Sequence, residues 1–98
     1  MADLHTTAVV IPALNEVLRI RDVVGQTLEQ CPWVIVVDDG STDGTAECLR
    51  ELPVTVVRHD QRRGKGAALR TGFAEALARG ATGVLTIDGD GQHDPRDL

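Results

Sequence analysis

The sequence predicts an α/β fold of the Rossmann-like, three-layer α/β/α type, built around a parallel sheet. Two observations predict it. Four short runs rich in β-branched residues are mostly unbroken rather than alternating, as in strands that helices cover on both faces. Between these runs, apolar residues recur at spacings of three and four, so the order of elements is β-α-β-α-β-α-β. Strands joined in this way pair in parallel through right-handed crossovers, and the doubly wound version has the strand order 3-2-1-4.

Each predicted element follows from its own local signals. The predicted strands cover residues 8–11, 33–37, 54–57 and 84–87, and the predicted helices cover residues 15–30, about 43–52, and 65–79. Asn15 is expected to be the N-cap of the first helix, and Ser41, Thr42 and Asp43 are typical residues for the start of the second. The third helix is expected to end at Gly80.

Composition limits the class of protein. The 98 residues are 42% hydrophobic with a net charge of −5, which suits one domain over residues 1–98 and disfavours general nucleic-acid binding. The longest apolar stretch has seven residues, so we expect no transmembrane helix and no secretory signal. Two cysteines are too few for a disulfide framework, and a cytoplasmic location is expected.

Acidic residues follow the second and fourth predicted strands, at the sheet edge where α/β folds bind ligands. Neighbouring strand residues point to opposite faces, so Asp38 and Asp39 are expected to have different roles. One would brace the loop through backbone N–H groups, and the other would accept hydrogen bonds from a ligand such as a nucleobase. Asp88, Asp90 and Gln92 point the same way in extended backbone, and their oxygens suit Mg²⁺ or Mn²⁺. Because Mg²⁺ is usually shared with substrate phosphates, this set predicts a nucleotide ligand.

Simpler explanations exist for each of these loops. Aspartate, serine and glycine are ordinary turn residues, so both acidic loops could be capped turns. The basic segment of residues 58–66 could attract phosphates at the start of the third helix, or it could be a solvated charged loop. It matches neither the Walker pattern nor the dinucleotide-binding glycine pattern. His5 and His59 are expected on the surface.

Four segments together resemble the family 2 glycosyltransferases with the GT-A fold, most closely their dolichol-phosphate mannose synthase-like, or polyprenyl-phosphate glycosyltransferase, branch. The segments are residues 10–16 (VIPALNE), 37–45 (VDDGSTDGT), 64–68 (GKGAA) and 88–95 (DGDGQHDP). The resemblance covers nearly the whole chain, and the four motifs occur in the order typical of that family.

The resemblance implies a role for several residues. Pro12 and Glu16 would line the nucleotide pocket together with Leu14, which stands where the family often has tyrosine. Val37 and Asp39 would hold the base. Further residues are implied for the diphosphate and its Mg²⁺ or Mn²⁺ ion: Asp88, Gly89 and Asp90 form the Asp-x-Asp motif, and Gln92 joins the metal ligands.

The implied reaction is metal-dependent, inverting transfer of a sugar from a GDP- or UDP-sugar to an acceptor, here a polyprenyl or dolichyl phosphate. A general base, where one is needed, would lie in the second half of such a domain. The chain is therefore expected to be a truncated GT-A domain, the N-terminal nucleotide-sugar-binding half, which binds donor but is inactive alone. The full-length protein would be cytoplasmic or peripheral at the membrane surface. An unpaired edge on the fourth strand would favour homo-oligomers.

Two alternatives from other classes remain open at this point. The chain could be a non-catalytic nucleotide-binding module that keeps only the donor half. It could also be a receiver domain of a signalling protein, which has an acidic pair at a strand end and a phosphorylatable aspartate. Receivers place the acidic pair after the first strand, whereas here it follows the second.

Overall fold

The computed structural model describes residues 6–88 and shows the predicted alternation of strands and helices. In chain order the elements are β1 (Thr7–Ala13), α1 (Ile20–Gln30), β2 (Val34–Asp38), a 3-10 helix (Glu47–Leu49), β3 (Thr55–Arg58), α2 (Lys65–Ala78) and β4 (Gly83–Thr86). Neither helix in this range combines the length and the apolar character needed to cross a membrane.

The four strands form one parallel sheet in the order β3-β2-β1-β4, which confirms the predicted order. β1 is central: Val10 pairs with Ile35 of β2 on one side and with Thr86 of β4 on the other. The chain therefore builds the sheet outward from β1 through β2 to β3, and then returns to the opposite side of β1. This reversal creates a switch point between β1 and β4, where loops leave the sheet in diverging directions.

Both faces of the sheet are covered, as the unbroken apolar strands predict. Val9 and Ile11 of β1 belong to a core cluster with α1, which contributes Ile20, Val23 and Val24. Ala8 and Val10 point the other way, because neighbouring strand residues alternate between faces, and they belong to a second cluster with α2. The predicted three-layer α/β/α architecture is confirmed.

Two predicted helices are shorter than expected. α1 begins at Ile20 rather than at residue 15, and only the 3-10 helix Glu47–Leu49 occupies the region where a helix was predicted over residues 43–52. Gly44 has a φ of 89°, outside the right-handed helical region, and Pro53 disfavours helical backbone at the residue before it. The polar residues that were expected to start the second helix instead bind the loop after β1.

Candidate functional site

A cavity of about 250 Å³ opens where the carboxyl ends of the strands meet, beside the switch point. Its walls come from loops that follow all four strands and from the first turn of α2. The lining residues are Pro12, Ala13, Leu14, Glu16, Asp39, Arg62, Lys65, Ala68 and Asp88. The structure thus brings together five residues for which the resemblance implies nucleotide-sugar binding: Pro12, Leu14, Glu16, Asp39 and Asp88.

The loop after β1 is held by the loop after β2. Three consecutive backbone N–H groups of the first loop each donate to a side-chain oxygen of the second: Asn15 to Ser41 Oγ (2.8 Å), Glu16 to Thr45 Oγ1 (2.9 Å), and Val17 to Asp43 Oδ2 (3.2 Å). These bonds fix the backbone at the cavity-lining Glu16. The Ser41–Thr45 segment therefore caps a neighbouring chain segment rather than a helix of its own, which corrects the prediction for Ser41, Thr42 and Asp43.

Asn15 is a second correction in the same loop. It has a φ of 53°, in the left-handed region, and its Oδ1 accepts a hydrogen bond from the Thr42 N–H (2.9 Å). The residue at the N-cap position of α1 is Arg19, whose side chain makes no capping hydrogen bond. Asn15 thus joins the two loops instead of capping α1, because asparagine tolerates the left-handed conformation that the sharp turn requires.

Asp43 is tightly bound within this junction. The Thr45 hydroxyl donates to Asp43 Oδ1, and the N–H groups of Val17 and Thr45 donate to the same carboxylate. These donors hold the pKa of Asp43 below its ordinary value although burial opposes them. The hydrogen bond from the Thr45 hydroxyl lowers this pKa most. A negative charge is therefore maintained at the junction of the two loops.

The adjacent acids Asp38 and Asp39 have different surroundings, as their positions on a strand predict. Asp38 is fully buried, and its Oδ1 accepts a hydrogen bond from the Ser41 N–H (3.0 Å). The guanidinium of Arg58 lies 3.9 Å from its other oxygen, measured from Nε to Oδ2. Asp38 is thus the residue that braces the loop, and Asp39 is the one that borders the cavity.

The carboxylate of Asp39 is bound by three donors of the chain. Oδ1 accepts hydrogen bonds from His59 Nδ1 (2.8 Å) and from the Arg63 N–H (2.9 Å), and Oδ2 accepts one from the Gly64 N–H (2.9 Å). Burial raises the pKa of this carboxyl, but the bonds from His59, Arg63 and Gly64 outweigh burial, so the pKa lies below its ordinary value. Asp39 therefore carries its negative charge at neutral pH.

His59 was predicted on the surface, and that prediction is wrong: the residue is only 4% exposed. Its N–H donates to the Asp38 carbonyl oxygen (2.9 Å), which continues the β2–β3 pairing by one residue. Val57, two residues earlier, packs into the core cluster on the α2 side. His59 therefore points toward α2 as well, where its Nε2 lies 2.8 Å from Thr71 Oγ1. The two-residue period of the strand was the signal that could have found it.

Basic side chains of the loop before α2 reach the cavity. Arg62 and Lys65 both line it, and Lys65 Nζ donates to Asp88 Oδ1 over 2.6 Å. The cavity therefore has cationic groups on the α2 side and carboxylates at the ends of β2 and β4. This combination suits a ligand with a polar, anionic part.

Several predicted site residues do not line this cavity or lie outside residues 6–88. Val37 is fully buried and packs in the core cluster beneath α2, so its side chain does not border the cavity. Gly89, Asp90 and Gln92 lie outside the described residues. Within residues 6–88, no group of three or more His, Cys, Asp and Glu side chains is arranged to hold a metal ion. Of the predicted metal ligands, Asp88 is described, and its hard oxygen donors at the cavity suit Mg²⁺ or Mn²⁺.

The family model described as glycosyl transferase family 2 matches residues 8–98. This chain belongs to glycosyl transferase family 2. A polyprenol monophosphomannose synthase from Mycolicibacterium smegmatis is 39% identical over 100 residues, covering 94% of this chain and 38% of that protein. A UDP-N-acetylglucosamine–dolichyl-phosphate N-acetylglucosaminyltransferase from Methanococcus voltae is 35% identical, covering 91% of this chain and 43% of that protein. The resemblance to the polyprenyl-phosphate branch is thereby confirmed.

Solved structures of similar proteins agree with the fold. Glucosyl-3-phosphoglycerate synthase from Mycobacterium tuberculosis, in complex with UDP, matches with a TM-score of 0.68 and 33% identity, covering 88% of this chain and 34% of that one. The same enzyme with Mn²⁺, UDP and glucosyl-3-phosphoglycerate matches with a TM-score of 0.67 and 32% identity, covering 87% of this chain and 33% of that one. The GT-A fold is confirmed. The receiver alternative is wrong, because the flavodoxin-like sheet order 2-1-3-4-5 of receivers differs from the order found here.

The chain is short compared with these relatives. It spans about two fifths of the length of the two curated relatives and about a third of the solved synthase. The family assignment and the fold therefore apply to the matched region.

Proposed function

We propose that this chain provides the nucleotide-sugar-binding part of a glycosyltransferase that transfers a sugar from a UDP- or GDP-sugar to a polyprenyl phosphate. The cavity at the switch point carries the proposal, because it brings carboxylates and cations to the sheet edge where α/β folds bind nucleotides. Two further facts support it. Curated relatives are named as a polyprenol monophosphomannose synthase and a dolichyl-phosphate N-acetylglucosaminyltransferase, and a solved relative was crystallised with UDP.

The cavity offers different chemistry to the two ends of a nucleotide sugar. Arg62 and Lys65 would attract the diphosphate through their positive charge, beside the N-terminus of α2. Pro12, Leu14 and Glu16 form the wall at the end of β1, which we assign to the nucleoside. Asp39 borders the same space from the end of β2.

A divalent cation is part of the proposed site. Asp88 would hold Mg²⁺ or Mn²⁺ together with Asp90 and Gln92, since carboxylate and amide oxygens are ligands that these ions prefer. When bound, such an ion supplies Lewis acidity that neutralises charge on the leaving diphosphate. Lys65, which pairs with Asp88, would then be available to the phosphate oxygens.

The acceptor determines what else the reaction needs. A lipid phosphate is already ionised at neutral pH, so it can attack the sugar without a strong general base. No residue of this chain is assigned as a catalytic base, and we propose that the chain alone binds donor without turnover.

A polyprenyl phosphate would bring the full-length protein to the cytoplasmic membrane surface as a peripheral protein. Self-association is proposed as well, since Leu77 of α2 and Leu85 of β4 are exposed.

The proposed donor site can be tested by thermal unfolding with nucleotides. UDP or GDP with Mn²⁺ is expected to raise the Tm, because a ligand at 100 times its Kd adds about 2.7 kcal/mol to the stability. Asp90→Ala should lose the metal-dependent part of the increase. Asp60→Ala is the control: this exposed residue does not line the cavity, so its variant should respond like the wild type.

Two results would contradict the proposal. An unchanged Tm with every combination of nucleotide and metal would exclude an intact donor site. Equal Mn²⁺-dependent increases in the wild type and in Asp90→Ala would remove Asp90 from the metal ligands while leaving nucleotide binding in place.

A further inference from the structure

A buried chain of hydrogen bonds connects the cavity to the middle of α2. It runs from the Asp39 carboxylate through the His59 ring to the hydroxyl of Thr71, with 2.8 Å at each of the two steps. Asp39 and His59 are both less than 5% exposed. Because an ionised Asp39 can only accept hydrogen bonds, the proton of a neutral His59 ring lies on Nδ1. Nε2 then accepts a hydrogen bond from the Thr71 hydroxyl.

The same carboxylate holds the segment that carries the cationic side chains of the cavity. Asp39 accepts the N–H groups of Arg63 and Gly64, which lie directly between the cavity-lining Arg62 and Lys65. This segment also approaches the loop after β2 closely, since a Cβ atom added to Gly40 would lie 2.6 Å from the backbone nitrogen of Arg62. The position of both cations therefore depends on where the Asp39 carboxylate points.

We propose that His59 is a positioning residue for diphosphate recognition. By binding Oδ1, it fixes the rotation of the Asp39 carboxylate, so that both oxygens meet the N–H groups of residues 63 and 64. The 62–65 segment is then held with Arg62 and Lys65 directed at the cavity. Thr71 on α2 binds the other ring nitrogen, Nε2, and this second contact is not required for the one to Asp39. The proposal rests on the proposed function, because a nucleoside diphosphate is the ligand that these cations would bind.

Two amide variants separate the two ends of the His59 ring. His59→Asn places an N–H donor near the position of Nδ1, so it can still bind Asp39 but not Thr71. His59→Gln extends its amide to the position of Nε2, so it can reach Thr71 but not Asp39. Thr71→Val is the matched control for His59→Asn, because it too loses the Thr71 contact and keeps the Asp39 contact.

The test uses the full natural chain and two measurements. The first is the NMR signal and hydrogen exchange of the Arg63 and Gly64 amides, without nucleotide. We expect both amides to stay close to the wild type in His59→Asn and Thr71→Val, and to exchange about tenfold faster in His59→Gln. The second is the Kd for UDP or GDP with Mn²⁺, by calorimetry. It should rise about tenfold in His59→Gln and stay within about threefold of the wild type in the other two variants.

Urea unfolding of each variant shows whether the changes in amide exchange and in Kd merely reflect a loss of overall stability. If the amide signals and the Kd change in proportion to the loss of stability, whichever end of the ring is lost, His59 is a core residue and the proposal is overturned. A wild type that binds neither nucleotide overturns the proposed function. In that case the amide measurement still decides whether His59 positions the 62–65 segment.

Discussion

At the scale of single residues, the acids at the end of β2 show how alternation along a strand divides two tasks. Asp38 lies inside the protein and binds the loop that follows it, and Asp39 borders the cavity while binding a segment that follows β3. The sequence predicted this division from the period of two, but it could not identify the donors to Asp39. Two of them are backbone N–H groups, whose positions depend on the path of the chain rather than on residue type.

His59 is the residue where composition misled the prediction. A histidine in a basic, glycine-containing segment is usually solvated, and only the continuation of the β2–β3 pairing turns its side chain toward α2. Val37 behaves as its strand position predicts. The resemblance implies that this residue holds the base, and in the structure its side chain packs beneath α2, where an apolar strand residue is expected.

Asp39 also leads to a prediction about acid stability. Its pKa in the folded protein is below its ordinary value, so the ionised carboxylate stabilises the fold. That contribution is present above the unfolded pKa of about 3.9 and is lost as the pH falls through the folded value. The difference in unfolding free energy between wild type and Asp39→Asn should therefore shrink as the pH falls below about 4.

Urea unfolding at a series of pH values measures this difference directly. Other carboxylates titrate in both proteins and cancel when the two curves are subtracted, provided that their own surroundings are unchanged. A difference that stays constant, or that grows as the pH falls, would show that Asp39 is not ionised against its three donors in the folded state.

At the scale of elements, the loop after β2 was predicted as the start of a helix and serves as a cap for another loop. Serine, threonine and aspartate oxygens satisfy backbone N–H groups wherever these groups are free. The sequence shows that the side-chain oxygens of Ser41, Asp43 and Thr45 can accept hydrogen bonds from unpaired backbone N–H groups. The fold determines that they bind residues 15–17, because parallel strands bring the loops after β1 and β2 to the same edge.

The packing of α2 on the sheet depends on a glycine. A Cβ atom at Gly72 would lie 2.3 Å from Val10 Cγ1 and 3.2 Å from Val37 Cγ2, so any side chain would force α2 away from β1 and β2. Gly72→Ala is therefore expected to lower the unfolding free energy by about 1–3 kcal/mol. Gly66→Ala, on the same helix, meets only the end of the Arg70 side chain at 3.5 Å and should be neutral or slightly stabilising.

A double variant identifies the cause of the Gly72 effect. Val10→Ala removes both methyl groups of Val10, so Gly72→Ala should cost less in that background than in the wild type. Urea denaturation of the four proteins gives this coupling energy. Equal costs in both backgrounds would mean that the substitution does not act through the contact with Val10.

At the scale of the whole molecule, the architecture was predictable because it depends on patterns that extend over many residues. Four apolar strands and the segments between them determine a three-layer parallel sheet, and the crossover rule leaves few possible orders. The site was predictable only in part. Its acids follow strands and could be located. The contacts of His59 with Asp39 and Thr71 join residues 20 and 12 positions apart, and no local pattern indicates such connections.

The same architecture predicts which parts of the sheet open last. β1 and β2 have strands on both sides and layers on both faces, and every residue of β2 is buried. β3 pairs only with β2 within the described sheet, and its residues are half-buried or exposed. Hydrogen exchange in β1 and β2 should therefore require global unfolding, whereas β3 should exchange through local opening that costs about 1–3 kcal/mol less.

Mass spectrometry of native-state exchange at increasing urea tests this prediction. Peptides that cover β1 and β2 should show the urea dependence of global unfolding, because all of the surface buried on folding is exposed before they exchange. Peptides that cover β3 should show a weaker dependence at low urea and merge with the others as unfolding becomes global. If β3 is as well protected as β2 at every urea concentration, the outer strand is as tightly held as the centre. The sheet would then open as a single unit, which its gradient of burial argues against.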